Sequence, residues 1–358
     1  MRAAVMRGHG GPEQLEVGDH PAPVPGAGQV RISVAAAAVN TTDVWTREGA
    51  YGRADAPEAR AGWRQVPIEV PRVQGADVCG TVESVGDGVD AALVGRRVLV
   101  DPAHYDGPGP DAEPDDILGS ERDGGFAELV VVDAADVHDV TASPLTDAEL
   151  SALPIAYGTA MGMLVRAGAT AGERLVVTGA SGGVGLALVQ LGVALGLEVV
   201  AVSTDEKAAR LRAQGAAAVV DRSRPDPAGR AREAAGGPVD LVADVVGGDA
   251  FGSWVDVVRR GGRLVVAGAV AGPVVALDLR RVYLEQRRIV GSTMHTRAHL
   301  ARLVELARAG EVRPVVARRF PLEEIHEAQR ALQAPGTFGK VVVEVGRDPE
   351  VSGGSAPG

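Results

Sequence analysis

Apolar positions follow two rhythms along this 358-residue chain. From residue 1 to about 145 they form short Val-rich runs, Gln29 to Val34, Gly80 to Val85, Arg96 to Val100 and Phe126 to Val132, punctuated by turn residues. That spacing predicts an all-β unit, with Gly86 to Gly88 as one of its turns. From about residue 173 strands and helices alternate. Strands are predicted at Arg174 to Thr178, Glu198 to Ser203, Ala218 to Asp221, Leu241 to Val246, Arg263 to Ala267 and Arg288 to Gly291, with helical stretches between most of them. Such alternation implies a mostly parallel, doubly wound sheet. Beyond residue 293, Arg297 to Ala309 has helical spacing and Val341 to Val345 returns to strand character, assigned back to the first unit.

The expected organisation is therefore a β-rich unit over 1–150 and 293–346, interrupted by an α/β unit over 151–292. Residues 347–358 can bury too little to order themselves and are expected to be a flexible tail. Two loop-like stretches, Gly52 to Glu69 and His104 to Asp123, are long enough to border a cleft, where His104 and Tyr105 become candidate substrate contacts. The longest apolar run, Leu186 to Val202, is broken by Gln190 and Glu198, so it predicts a helix followed by a strand and no membrane span.

A net charge of −11 makes a nucleic-acid or anionic-membrane partner unfavourable. The one cysteine, Cys79, can form neither an intrachain disulfide nor a Cys-rich zinc cage. With no signal-peptide core at the N-terminus, a reducing, cytoplasmic setting is expected. Of the 36 basic side chains only Lys207 and Lys340 are lysines.

The strand from Arg174 to Thr178 runs into Gly179 to Gly185 and then into an apolar helical stretch, Leu186 to Leu195. Ala180, Gly182 and Gly185 form an A-x-G-x-x-G fingerprint, and Ser181, Gly183 and Val184 complete the turn. Small residues here let a pyrophosphate approach backbone N–H groups at a helix N-terminus. The same letters match the G-x-S-x-G elbow of serine hydrolases, with Ser181 as nucleophile and His295, His299 or His326 downstream. The turn follows the first strand of the α/β unit and its glycine spacing suits a phosphate, which favours the dinucleotide reading. At the end of the second strand, Ser203 and Thr204 stand where an NAD site usually places a carboxylate, and Lys207 follows one helical turn later. Hydroxyls and a cation suit a 2′-phosphate, so NADPH is the expected cofactor, with Arg222 as a further phosphate candidate. The competing reading makes Ser203 or Thr204 a helix cap, and Asp205 could reach a ribose.

Several motifs in this order resemble those of the medium-chain dehydrogenase/reductase superfamily, and within it the zinc-independent quinone oxidoreductase group. They are Ala38 to Asp43, Gly75 to Gly80, Gly124 to Glu128, Leu153 to Thr159, the glycine turn and Phe338 to Lys340. The resemblance implies a GroES-like catalytic domain split around a Rossmann domain. Zinc enzymes of the superfamily carry a cysteine at the position resembling Asn40 and a His-Glu pair at those resembling Ala76 and Asp77, so no metal is expected here. The resemblance further implies that Asn40, Asp43 and Thr159 line the nicotinamide pocket, that Val246, Gly268 and Ser292 approach the cofactor from strand ends, and that Lys340 contacts it. Tyr51 has the spacing of a family tyrosine that is a candidate proton donor. The implied activity is hydride transfer from NADPH to a small-molecule electron acceptor, a quinone or α,β-unsaturated carbonyl. A homodimer pairing through Arg287 to Thr293 is also implied. Two alternatives stand beside it: an enoyl-thioester reductase, for which Arg280, Arg281, Arg287 and Arg288 offer charge, and a nucleotide-binding protein without turnover.

Overall fold

A computed structural model describes residues 1–51 and 68–345. The tail over 347–358 and nearly all of the Gly52 to Glu69 stretch lie outside the described residues.

In the α/β unit six strands form one parallel sheet, ordered Ala218–Asp221, Glu198–Ser203, Arg174–Val177, Val239–Asp244, Val258–Val266, Arg288–Gly291. The first and fourth strands of this unit are neighbours, and the strand order reverses between them. A crevice opens at such a reversal, past the carboxyl ends of the strands. Helices cover both faces, which is why Val199 to Val202 and Leu241 to Ala243 are buried without alternation. Thr178 and Asp244 tie the ends of the two central strands: Thr178 Oγ1 donates to Asp244 Oδ1 at 2.5 Å, and Gly247 N donates to Asp244 Oδ2 at 2.8 Å. This tie ends the fourth strand at Asp244, so Val245 and Val246, read from sequence as strand, belong to the turn at the crevice.

The β-rich unit is built on a seven-stranded sheet in which the long strand Gln29–Val39 pairs with Asp77–Val85, Leu129–Asp133 and Lys340–Glu344. The C-terminal strand is thus an integral part of this sheet, beside Val316–Pro321. Gln29–Val39 runs five residues past the sequence-based expectation, through Ala35 to Val39. Alanine has little strand preference, but this run is held on one side by Asp77 to Cys79 and on the other by Val341 to Glu344. The His104 to Asp123 stretch also departs from a plain loop, because Ala103–Tyr105 and Pro114–Ile117 form a hairpin.

Helix Pro154–Arg166 sits at the junction, with nearly its whole N-terminal half buried against Gly183–Ala194 and Arg297–Ala309. Proline at its first position costs no hydrogen bond. Its N-terminus is anchored in the other unit, because Ile155 N donates to Asp77 Oδ1 at 2.7 Å.

Candidate active site

The glycine turn adopts its shape for steric reasons. Gly179 has φ +59, and a Cβ on Gly185 would lie 2.1 Å from Gly179 O. Helix Gly183–Ala194 starts directly out of this turn, three residues earlier than the apolar pattern indicated. Its first N–H groups have no partner within the helix and face outward from the crevice end of the sheet.

A cavity of about 510 Å³ opens against the turn. Gly182, Gly183, Val184 and Gly185 line it on one side, and Asn40, Tyr51, Thr159 and Lys340 on the other. Val246 and Gly268 contribute from the crevice, so the sequence candidates from both units meet in one space. Wall residues missed by sequence reading include the apolar Trp45, Ile117, Ile155, Met294 and Leu332, widely separated in the chain, and the polar Thr41, Thr42 and Thr293. The one local sign is Met294, a non-glycine residue with φ +47, uncommon enough to mark a constrained position.

Asn40, Asp77 and Lys340 form a buried network. Lys340 Nζ donates to Asn40 Oδ1 and, at 3.1 Å, to Asp77 Oδ2, while Asn40 Nδ2 donates to the same Asp77 oxygen at 2.9 Å. With Ile155 N on its other oxygen, the fully buried Asp77 carboxylate has three donors. The Asn40 amide is likewise committed, its second amide hydrogen going to Ala38 O at 3.3 Å.

Asp43 corrects an expectation. It does not line the cavity but turns inward from the first turn of helix Thr41–Glu48, accepting from Asn40 N at 2.7 Å. This fixes the helix start and leaves the carboxyl buried behind the wall. Burial, with the nearby Asp77 charge adding to it, pushes its pKa from 3.8 to about 7 against the lowering effects of the Asn40 N–H and Lys340. Ser292 also stands off the cavity, accepting from Arg166 Nη1 at 3.2 Å. Tyr51 lies edge-on to Trp45, with ring centroids 6.2 Å apart. Burial raises the pKa of its hydroxyl, and a hydrogen bond with Thr42 partly offsets this.

At the end of the second parallel strand, Ser203 is buried and the Thr204 hydroxyl is buried with no partner among the described residues. Neither caps the following turn through its side chain. Lys207 Nζ donates to Pro335 O at 2.8 Å, Thr337 O at 2.9 Å and, more loosely, Ser181 Oγ at 3.3 Å. Its pKa is lowered by partial burial and then by the charges of Arg222 and Arg210. Gly339 N donates to Ser181 O at 3.1 Å, so the segment leading to Lys340 is held against the glycine turn. A glycine cradle and a cluster of cations fit the phosphates of a nicotinamide dinucleotide.

Tyr105 and His104, expected as possible substrate contacts, do not line the cavity. Tyr105 Oη donates to Asp101 Oδ2 at 2.7 Å and lies 3.2 Å from His295 Nδ1, while the Arg297 guanidinium stacks 4.2 Å from its ring centroid. Its hydroxyl therefore clasps the hairpin to the segment after the last parallel strand. The hydrolase arrangement is not formed: His295 faces Tyr105, His299 bonds Thr296 N, and His326 bonds Leu15 O, while Ser181 Oγ accepts from Lys207. Arg280 and Arg281 are exposed and paired with Asp278 and Asp256.

Comparison with known proteins gives two family matches: the alcohol dehydrogenase GroES-like domain over residues 26–142 and the zinc-binding dehydrogenase domain over residues 183–309. The chain is 32% identical to an acryloyl-coenzyme A reductase of Metallosphaera sedula, covering 96% of this chain and 99% of the other. It is 31% identical to a quinone oxidoreductase of Mus musculus, over 96% and 97% of the two chains. A solved structure from Sinorhizobium meliloti 1021 superposes with a TM-score of 0.91 at 45% identity, covering 97% of each chain.

Proposed function

The chain belongs to the medium-chain dehydrogenase/reductase superfamily, whose members use nicotinamide cofactors, and on that premise we propose that it is an NADPH-dependent, zinc-independent reductase of quinones or α,β-unsaturated carbonyls. The observation that carries this reading is the cavity shared by the glycine turn and the Asn40–Asp77–Lys340 network. It has room for a nicotinamide beside a flat acceptor, and its wall is largely apolar.

The donor set there does not suit zinc. Ala76 offers no ligand atom, Asp77 already has three donors, and an ammonium occupies the space between Asp77 and Asn40. A divalent cation would need to displace that charge and would still lack thiolate or imidazole. Reduction of a conjugated acceptor proceeds without a Lewis acid, since hydride adds at carbon and the growing charge on oxygen needs only hydrogen-bond donors.

The nicotinamide, when bound, supplies the hydride. The protein's part is to hold the pyrophosphate on the N–H groups at Gly183 to Gly185, to set the 2′-phosphate among Ser203, Thr204, Lys207 and Arg222, and to exclude water with Trp45, Ile155 and Met294. Tyr51, which lines the cavity, hands a proton or a hydrogen bond to the reduced acceptor in this reading. An enoyl thioester presents the same conjugated carbonyl, so it falls within the same chemistry. The test is NADPH oxidation by the purified protein against a panel of quinones, enones and enoyl thioesters. NADPH binding with no oxidation by any of them would leave a nucleotide-binding protein in place of a reductase.

A further inference from the structure

Lys340 enters the cavity from an unusual direction. It begins the strand Lys340–Glu344, directly after Gly339, whose φ of +97 and contact of a virtual Cβ with Val315 O at 2.2 Å leave no room for another residue. Its side chain passes the glycine turn, with Cδ 3.1 Å from where a Cβ on Gly183 would stand, and ends between Asn40 and Asp77. An ammonium has three N–H donors. Two are used on Asn40 and Asp77, and the side chain, though only 3% exposed, lines the cavity. The Asn40 amide, by contrast, has no hydrogen left to give to an acceptor.

We propose that Lys340 is the electrophile of this pocket, a resident cation held between Asn40 and Asp77, with its third N–H aimed at the carbonyl oxygen of the acceptor. This inference rests on the reductase reading above. In the step, hydride adds to the β-carbon of the acceptor, the π pair shifts through the conjugated system, and the oxygen becomes an enolate held by Lys340; from a quinone this is the enolate of the keto tautomer, which becomes the hydroquinone by losing a ring C–H proton and gaining one on oxygen. The reaction consumes one hydride and one proton. The proton reaches the product from Tyr51 or water, while the Lys340 ammonium, held against Asp77 at 3.1 Å, gives only a hydrogen bond. Asn40 acts through Lys340 as a positioning residue, its carbonyl and that of the Asp77 carboxylate fixing where the remaining N–H points.

Two readouts test this. The first needs no turnover: 4-nitrophenol, whose anion is an analogue of the enolate, is titrated spectroscopically in the presence of the protein and NADP⁺. The wild type should bind the phenolate and lower its apparent pKa by about one unit or more, since a cation within reach favours the charged form. Lys340→Met should abolish the shift. Because that change leaves Asp77 buried without its cation, the charge-balanced pair Lys340→Met with Asp77→Asn is measured alongside, with melting temperature reporting on folding, and should lose the shift as well. The second readout is single-turnover hydride transfer, which should slow by roughly 10²–10³ in both variants, as for loss of an oxyanion donor, with the NADPH dissociation constant nearly unchanged. An equal phenolate shift in wild type and variants, or no shift in the wild type, overturns the proposal. A loss of NADPH affinity that accounts for the whole rate effect also overturns it and makes Lys340 a cofactor contact. A wild type that shifts the phenol yet oxidises no NADPH supports the lysine assignment and removes the reductase reading instead.

Discussion

Replacing Lys207 by alanine isolates a single phosphate. In the structure this lysine has two jobs. It ties the Pro335 to Thr337 segment to the glycine turn through two carbonyl contacts at 2.8 and 2.9 Å, and it stands in a cluster with Arg210 and Arg222 whose charges depress its pKa. An anion placed in such a cluster relieves mutual repulsion, so a bound 2′-phosphate should raise the Lys207 pKa again. A hydrogen bond to a charged group contributes about 1.5–3 kcal/mol. At tenfold for each 1.4 kcal/mol, Lys207→Ala should weaken NADPH about 10- to 100-fold. The lost carbonyl contacts are a separate effect, about 0.5–1.5 kcal/mol each at most for partly exposed bonds, and weaken NADPH and NADH alike. The ratio of the two dissociation constants, measured by quenching or enhancement of nicotinamide fluorescence, therefore reports the phosphate alone. The preference for NADPH over NADH should fall further with Ser203→Asp, whose carboxylate would repel the phosphate and accept the ribose hydroxyls. Added salt should weaken NADPH more than NADH, since screening acts on the extra phosphate. Equal losses for both coenzymes would refute the phosphate contact, and a wild type preferring NADH would refute NADPH as the cofactor.

Four further outcomes are expected. Elemental analysis should find no stoichiometric zinc and chelators should leave activity intact, whereas one tightly held zinc per chain would contradict the donor-set argument. Tyr51→Phe should lower turnover by about 10²–10⁴ if it donates the proton, with little change in NADPH binding; unchanged turnover would reduce Tyr51 to packing against Trp45. The last parallel strand, Arg288–Gly291, is an edge whose Ile289 is 40% exposed, a few residues after the exposed Tyr283 and Leu284 in the chain, so Ile289→Arg should convert an expected homodimer to monomer by light scattering; a wild type with the mass of one chain would remove the dimer. Asp43, with its pKa raised from 3.8 to about 7, binds its proton more tightly folded than unfolded, so its contribution to stability is present at low pH and lost as pH rises through that window. The slope is at most about 1.4 kcal/mol per pH unit. Asp43→Asn should flatten the dependence of denaturation midpoint on pH between those values, and an unaltered slope would show that Asp43 is ionised throughout.

The chain itself determined the fold class and marked the proposed nucleotide end of the site. The glycine turn from Gly179 to Gly185, the β, then α/β, then β rhythm, and Ser203 with Lys207 are local patterns, and a strand, a tight turn and a helix follow from neighbours in sequence. Strand extents were less legible: Ala35 to Val39 became strand only because two partners flank it, and Val245 and Val246 left the strand because Asp244 is tied to Thr178 and Gly247. The proposed acceptor end was decided by tertiary structure. Asn40, Asp77 and Lys340 lie 37 to 300 residues apart, and nothing local to any of them signals that the lysine ends on the other two. Asp43, three residues from Asn40, could be read as a wall residue, yet its helix position turns it inward to accept from Asn40 N. Backbone geometry propagates over a few residues and is written in local sequence. A buried ammonium goes wherever a carboxylate and a carbonyl can replace its lost hydration, and that place exists only once the distant strands carrying them have come together.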